Sequence, residues 1–407
     1  MEVNNRSSIG QSDWNELSLG ESAILKARIG WQGLTTTEYL NTGNYCLITG
    51  TDFKNGFIDW NNCVFVEKNR YDQDKNIQVH IGDVLVTKDG TIGKVAYVDK
   101  VPKPTTLNSG VFVIRPKNKS FNPKYFYHVL MSNHFADFLS RLTAGSTISH
   151  LYQKDFVHFD FPLPPLPEQK AIARVLSDTD NLIQAITQKL AKKRAIKQGA
   201  MQQLLTPKEG WERVKLDNVI DVNRGGSPRP IHNYITSSSN GINWIKIGDT
   251  SSSSKYITSS KEKIIPEGAI NSRKVYIGDF LLSNSMSFGR PYILKIDGCI
   301  HDGWLVLQNY QSSFDREFLY YTLMSKDIFN QYLMKASGSG VLNLNKELVK
   351  TVELNKPKSL KEQTHIATIL SDMDTEITQI EQKLSKYKLL KQGLMQQLLT
   401  GKIRLTV

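Results

Sequence analysis

The apolar positions of this chain follow two patterns, and one of them occurs twice. From Glu168 to Thr206, and again from Glu362 to Thr400, apolar residues recur at alternating three- and four-residue steps, the period of a helix packed along one seam. In the second stretch the seam runs through Ile366, Leu370, Met373, Ile377, Ile380, Leu384, Tyr387, Leu394 and Leu398, and is broken only at Lys391. In the first stretch Ile172, Leu176, Ile183, Ile186, Leu190 and Leu204 hold the matching places, while Thr179, Lys193 and Lys197 loosen the seam. The stretches align without a gap and about 23 of 39 positions are identical, more than shared helical composition explains, so the chain is an internal duplication. Ser359, three residues before Glu362, makes a capping-box pattern, and the run Pro162-Leu-Pro-Pro-Leu-Pro167 forbids helix ahead of the first copy. Thr206-Pro207 and Thr400-Gly401 end the two copies. Gly199 and Gly393 sit inside the pattern at equivalent places, where each costs roughly 1 kcal/mol relative to Ala; a close helix approach or a local break would account for them.

The second pattern, short apolar runs between turn residues mixed with helical stretches, fills Trp14 to Leu163 and Trp211 to Lys356. These segments are weakly related. NYCLITGTD (44–52) parallels GINWIKIGD (241–249), and IGDVLVTKDGTIGK (81–94) parallels IGDFLLSNSMSFGR (277–290). AGSTISHLYQKDF (144–156) parallels SGSGVLNLNKEL (337–348), each after a helical stretch. The expected fold class is α+β: two similar α/β domains, residues 1–163 and 207–358, separated by two long antiparallel coiled-coil helices, residues 164–206 and 359–407 with the tail, in a pseudo-twofold internal duplication. A helix of about 38 residues is roughly 55 Å long, so the two domains are expected at opposite ends of a rod.

Charge turns this architecture toward a partner. The 407 residues are 40% hydrophobic and 22% charged, ordinary globular composition, but the formal net charge is +12 and the pI about 9.3, so nucleic acid is the first partner to test. No apolar run approaches the roughly 20 residues of a membrane span, and the opening MEVNNRSSIGQSDWNE lacks a signal layout, which points to the cytoplasm. Cys46, Cys63 and Cys299 have no metal-binding spacing and are expected as buried free thiols. Two base-reading domains one to two DNA turns apart, at roughly 34 Å per turn, imply two half-sites with unread base pairs between them.

Candidate DNA contacts cluster in the shared loops: Lys88, Thr91 and Lys94; Ser146, Thr147, His150 and Tyr152; Ser285, Ser287 and Arg290; Ser339, Asn343, Asn345 and Lys346. Arg224 and Arg229 in NRGGSPRP (223–230) join them. Such side chains beside glycine bond phosphates, and a few reach base edges, Arg favouring guanine and Asn adenine. The basic run KLAKKRAIKQ (189–198) reads as the wet face of a helix.

PLPPLPEQKAIARVLSDTD, followed by a long helix ending in KQGAMQQLLT, resembles the central conserved region of Type I restriction-modification specificity subunits, and its echo resembles the distal one. The resemblance covers essentially the whole chain. It implies that the globular units are target recognition domains, each reading half of a bipartite asymmetric site in double-stranded DNA. It also implies that the helices act as ruler and docking surface for two methyltransferase subunits, and through them for restriction subunits. S-adenosylmethionine, magnesium ion and ATP are then expected on those partners, with no cofactor and no metal on this chain. NKPKSLKEQ departs from the family pattern ahead of the second helix, where the first copy has PLPPLPEQ.

The residues themselves support no catalysis. There is no adenosylmethionine loop paired with an Asn/Asp-Pro-Pro-aromatic motif, and GTIGK (90–94) is too short for a P-loop. Glu168-x-Lys170 and Glu381-x-Lys383 lie on helices without a placed Asp, and the eight histidines form no metal motif. A stand-alone sequence-specific DNA-binding protein, an antirestriction scaffold and a fused enzyme with unrecognised motifs stay open as alternatives.

Overall fold

The computed structural model describes residues 14–143, 150–251, 254–284, 288–336 and 344–405. The chain divides into two compact units, Met1–Thr187 with Lys383–Val407 and Gln188–Gln382, so each long helix, Leu166–Leu204 and Leu360–Leu398, contributes to both.

In the first unit the strand Asn15–Ser18 pairs antiparallel with Asp160–Leu163, closing the globular part on itself just before the helix begins. Between them an antiparallel sheet runs in the order Ala23–Ala27, Val111–Pro116, Val84–Thr87, Val95–Tyr97. A smaller sheet sets Tyr45–Ile48 between Val64–Val66 and a parallel partner, Thr105–Leu107. The strands of the larger sheet read as near-continuous apolar runs because both faces are covered. Val84, Val86, Phe112 and Ile114 face a core with Tyr125, Phe126 and Val129 of the helix Pro123–Leu130, whereas Leu85, Val111 and Val113 face Cys46, Ile48 and Leu107. The period-two alternation of strand side chains makes this split.

The second unit repeats the frame. Its larger sheet runs Asp221–Arg224, Trp304–Gln308, Phe280–Ser283, Pro291–Leu294, with Tyr256–Ile257 added in parallel at the edge. The smaller sheet again holds a parallel pair, Ile242–Ile245 with Gly298–Ile300, and adds Ile235–Thr236 and Arg273–Val275 at its edges. Trp211–Lys215 and Glu353–Pro357 close this part as the first two strands close the other. Phe280, Leu282 and Leu305 face the helices, while Leu281, Tyr292 and Val306 face the smaller sheet.

The long helices run antiparallel where they meet inside each unit. In the first, Ile172 and Leu176 share a core with Leu398 and Leu399, and Lys391 Nζ lies 2.6 Å from Asp180 Oδ1. In the second, Ile366 and Leu370 pack with Ala200, Met201 and Leu204, and Lys197 pairs with Asp374. These two ion pairs occupy identical places in the two copies. Lys193 Nζ to Glu376 (2.7 Å) and Arg194 to Glu381 (2.6 Å) extend the second set, so lysines that interrupt the apolar seam, and an arginine of the basic run, are matched by acids on the facing helix. Of the seam residues, Ile172, Leu176, Ile186, Leu190, Ile366, Leu370, Ile377 and Ile380 are buried, while Ile183, Met373, Leu384 and Tyr387 are half-buried.

The first helix begins at Leu166, inside the proline run, with Pro167 in its first turn where no amide hydrogen is needed. Both helices continue through Gly199 and Gly393, and a side chain at either would meet nothing within 4 Å, so neither a break nor a close approach within the chain explains them.

Each helix is fastened to the globular part of its unit by the glutamine of the shared Glu-Gln pair. Gln169 Oε1 accepts from the Asn122 amide (2.8 Å) and its Nε2 donates to the Pro164 carbonyl (2.7 Å). Gln363 Oε1 accepts from the Asp315 amide (2.9 Å), and its Nε2 donates to Pro357 and Ser313. Asn122 and Asp315 cap the helices Pro123–Leu130 and Arg316–Leu323, so the same amide side chain grips the same helix start in both units.

Candidate nucleic-acid interface

The two shared loops are built on one backbone plan. In the first unit Lys88 N donates to Gly110 O (2.8 Å), Leu151 N to Lys88 O (2.8 Å), Gly93 N to Thr87 O (2.9 Å) and Thr87 N to Lys94 O (2.9 Å). In the second, Asn284 N donates to Gly303 O (3.2 Å), Leu344 N to Asn284 O (2.8 Å), Gly289 N to Ser283 O (2.9 Å) and Ser283 N to Arg290 O (3.3 Å). Gly93 and Gly289 both have positive φ, 79° and 70°. A side chain on Gly93 would run into Leu139, and one on Gly289 into Tyr332, so glycine serves both the turn and the helix beside it.

On this common frame the side chains differ. Thr91 and Lys94 are exposed at the apex of the first loop, while Lys88 is half-buried with its ammonium 5.5 Å from the Phe112 ring. The Thr87 hydroxyl donates to Thr91 O and accepts from Lys94 N, fixing the apex from within. His150 Nδ1 donates to Asp89, the two backbones form an isolated bridge, and Tyr152 lies against the imidazole with 4.5 Å between ring centroids. The Lys154 ammonium lies over the Tyr152 ring, 5.6 Å from its centroid.

In the second unit Arg290 is half-buried, its guanidinium 5.6 Å from the Tyr292 ring and 3.4 Å from Ser254 O. Asn345 spends its side chain capping the helix Lys346–Lys350 through Leu348 N (2.8 Å), and Lys346 Nζ reaches Asn223 Oδ1 at 3.4 Å. Arg224 and Arg229 are exposed around Asp302. Arg224 Nε donates to its carbonyl (3.1 Å), Arg229 lies 3.5 Å from its carboxylate, and the Ser227 hydroxyl donates to Oδ1 at 2.9 Å. The Ser227 hydrogen bond, with His301 and Arg229 nearby, holds the Asp302 carboxyl below the usual range. Gly225 lets this segment lie against the His301 carbonyl, which a side chain would strike. Ser146, Thr147, Ser285, Ser287, Ser339 and Asn343 lie outside the described residues.

The structure thus gathers Lys88, Thr91, Lys94, His150 and Tyr152 on one surface of the first unit, and Arg224 and Arg229 around one carboxylate of the second. Asp89 and Asp302 were missed because an acid is not an obvious neighbour for a polyanion. The signal for Asp89 was its place inside TKDGTIGK. Among the described residues, no cluster of His, Cys, Asp or Glu is arranged to hold a metal ion.

Similarity to known proteins agrees with the repeat. The chain is 28% identical over 360 residues to the Type I restriction enzyme MjaVIII specificity subunit of Methanocaldococcus jannaschii, covering 81% of each chain. The S subunit of a Type I restriction-modification system from M. genitalium has the same fold, with a TM-score of 0.61 and 16% identity over 98% of both chains. A chain from a type I R-M system studied for complex assembly and conformational transition gives 0.59 at 17% identity, over 96% of this chain and 98% of that one. Residues 11–193 and again residues 208–387 match the Type I restriction modification DNA specificity domain, and with most of its length so matched in two repeats the chain belongs to that family.

Proposed function

We propose that this chain is the DNA-recognition subunit of a Type I restriction-modification complex, reading a bipartite asymmetric site with residues 1–163 and 207–358. Residues 164–206 and 359–407 form the helical pair whose length sets the unread spacer. The chain is a non-catalytic subunit. Methyl transfer and cleavage, with S-adenosylmethionine, magnesium ion and ATP, belong to two methyltransferase subunits and to restriction subunits joined through them, in the cytoplasm. No helix among the described residues is long and apolar enough to cross a membrane.

One observation carries the reading: two loops held by the same four backbone hydrogen bonds present unlike side chains, as two readers of unlike sequences require. Docking of two copies of one partner draws on the helices. Gln198 and Gln392, and Gln202 and Gln396, are identical in the two copies and exposed in both, and the space beside Gly199 and Gly393 is open.

The deciding experiment maps adenine methylation genome-wide in cells carrying this chain with its methyltransferase. A split motif with a fixed gap is expected, and a continuous motif defeats the reading. Inserting a heptad into both helices should lengthen the gap by roughly 10 Å of DNA; an unchanged gap defeats the ruler. The +12 net charge predicts binding by the isolated subunit that falls steeply with salt, and a flat profile contradicts it.

A further inference from the structure

An acid at the apex of a basic loop is out of place against a phosphate backbone, and Asp89 is such an acid. It follows Lys88 and precedes Thr91 and Lys94, its side chain is 43% exposed, and the loop beneath it is held rigid by the Thr87 hydroxyl and the backbone bonds to Gly110 and Leu151. A carboxylate only accepts hydrogen bonds, so on DNA it finds partners at exocyclic amino groups: cytosine N4 or adenine N6 in the major groove. Phosphates, thymine O4 and guanine O6 and N7 would repel it.

We propose that Asp89 is a specificity-determining residue of the first unit, accepting from the amino group of cytosine or adenine at one position of its half-site. His150 is the positioning residue. The imidazole donates through Nδ1 to Oδ1, the adjoining backbones are bridged, and Tyr152 packs against the ring, so the carboxylate is fixed before DNA arrives. The bond from His150 is made at Oδ1, and a carboxylate has a second oxygen that can accept from a base. The imidazole also lines a concavity of about 280 Å³ with Ile92, Leu139, Leu151 and Tyr152. The second unit carries Ser285 and Asn343 at the corresponding places in its sequence, so it offers no carboxylate and imidazole there.

This assignment rests on the function proposed above, and the test separates the two. The full chain is expressed with its methyltransferase subunits in cells without other adenine methylation, and the methylated motif is read for the wild type, Asp89→Asn, Asp89→Ala and His150→Ala. If the wild type yields no split motif, the proposed function fails and this inference with it. Given a split motif, both Asp89 variants should relax or change the preference at a single position of one half-site, by roughly tenfold or more in relative methylation, leaving the other half-site and the gap unchanged. His150→Ala should lower methylation at all sites while keeping the base preference at that position. The inference is overturned if the Asp89 variants keep every base preference and lose only overall methylation, if they abolish methylation altogether, or if His150→Ala reproduces their change of motif.

Discussion

The two shared loops and the two long helices were duplicated together, yet they have diverged in opposite ways. In the loops the backbone bonds persist, Leu151 N to Lys88 O matching Leu344 N to Asn284 O, while Asp89, His150 and Tyr152 stand where the other copy's sequence has Ser285, Asn343 and Asn345. In the helices the side chains themselves persist: Gln169 and Gln363 grip the same cap, and Lys391–Asp180 and Lys197–Asp374 are one ion pair made twice. A scaffold carried by backbone bonds leaves its side chains free to vary, and one carried by side chains does not.

The comparison breaks first at the clamp leucines. Leu151 and Leu344 are both almost wholly buried, so Leu151→Ala and Leu344→Ala should each cost about 2–5 kcal/mol in their own unit, read by hydrogen exchange resolved along the chain. A large loss in one and none in the other would mean that the frames are only superficially alike. Next come the glutamines. Gln169→Ala and Gln363→Ala leave the half-buried cap amide of Asn122 or Asp315 without its partner, and each should cost about 1–3 kcal/mol.

Smaller, and expected to be unequal, are the ion pairs. Asp180 and Lys391 are each 18% exposed, whereas Asp374 is 34% exposed and also accepts from the Tyr321 hydroxyl at 2.7 Å. Lys391→Ala should therefore cost about 1–2 kcal/mol and Lys197→Ala under about 1 kcal/mol, by denaturant titration. Equal losses would show that the surroundings of the pair do not matter.

The smallest effect sets the two helix starts apart. Glu168 takes two hydrogen bonds from Arg404 and one from the Leu405 amide, and the Arg404 bonds first among these hold its carboxyl below the usual range; Glu362 instead accepts from Trp211 Nε1. A depressed carboxyl contributes stability above its unfolded value, about 4.3, and loses it as pH falls through the folded value. Exchange protection at Arg404 and Leu405 should accordingly drop on acidification below about pH 4, and Glu168→Gln should remove that dependence. A tail that stays protected in acid would refute it.

How much of this was legible beforehand depends on which contacts are local. The seam and the strands announced themselves because periods of 3.5 and 2 are written in consecutive residues, and TKDGTIGK and SNSMSFGR stood out by their glycines. Lys193, Lys197 and Lys391 looked like defects, since the acids that answer them lie on the facing helix far away in sequence. The grip of Gln169 and Gln363 was hidden for the same reason, being made to a backbone amide some 47 residues away in one unit and 48 in the other. Asn345 is a candidate DNA contact by sequence, and in the fold its side chain caps the helix that follows, a role open to any Asn before a helix start.

The glutamine grip bears on how such a protein acquires a new target. It holds a main-chain amide at a helix start, and the strand pairs that close each reader, Asn15–Ser18 with Asp160–Leu163 and Trp211–Lys215 with Glu353–Pro357, are likewise joined through main chain. A foreign module spliced in between these strands must supply a capped helix of the right geometry, but few particular side chains. The joints work as couplings of standard gauge, through which one globular part can be exchanged while the other is left as it was.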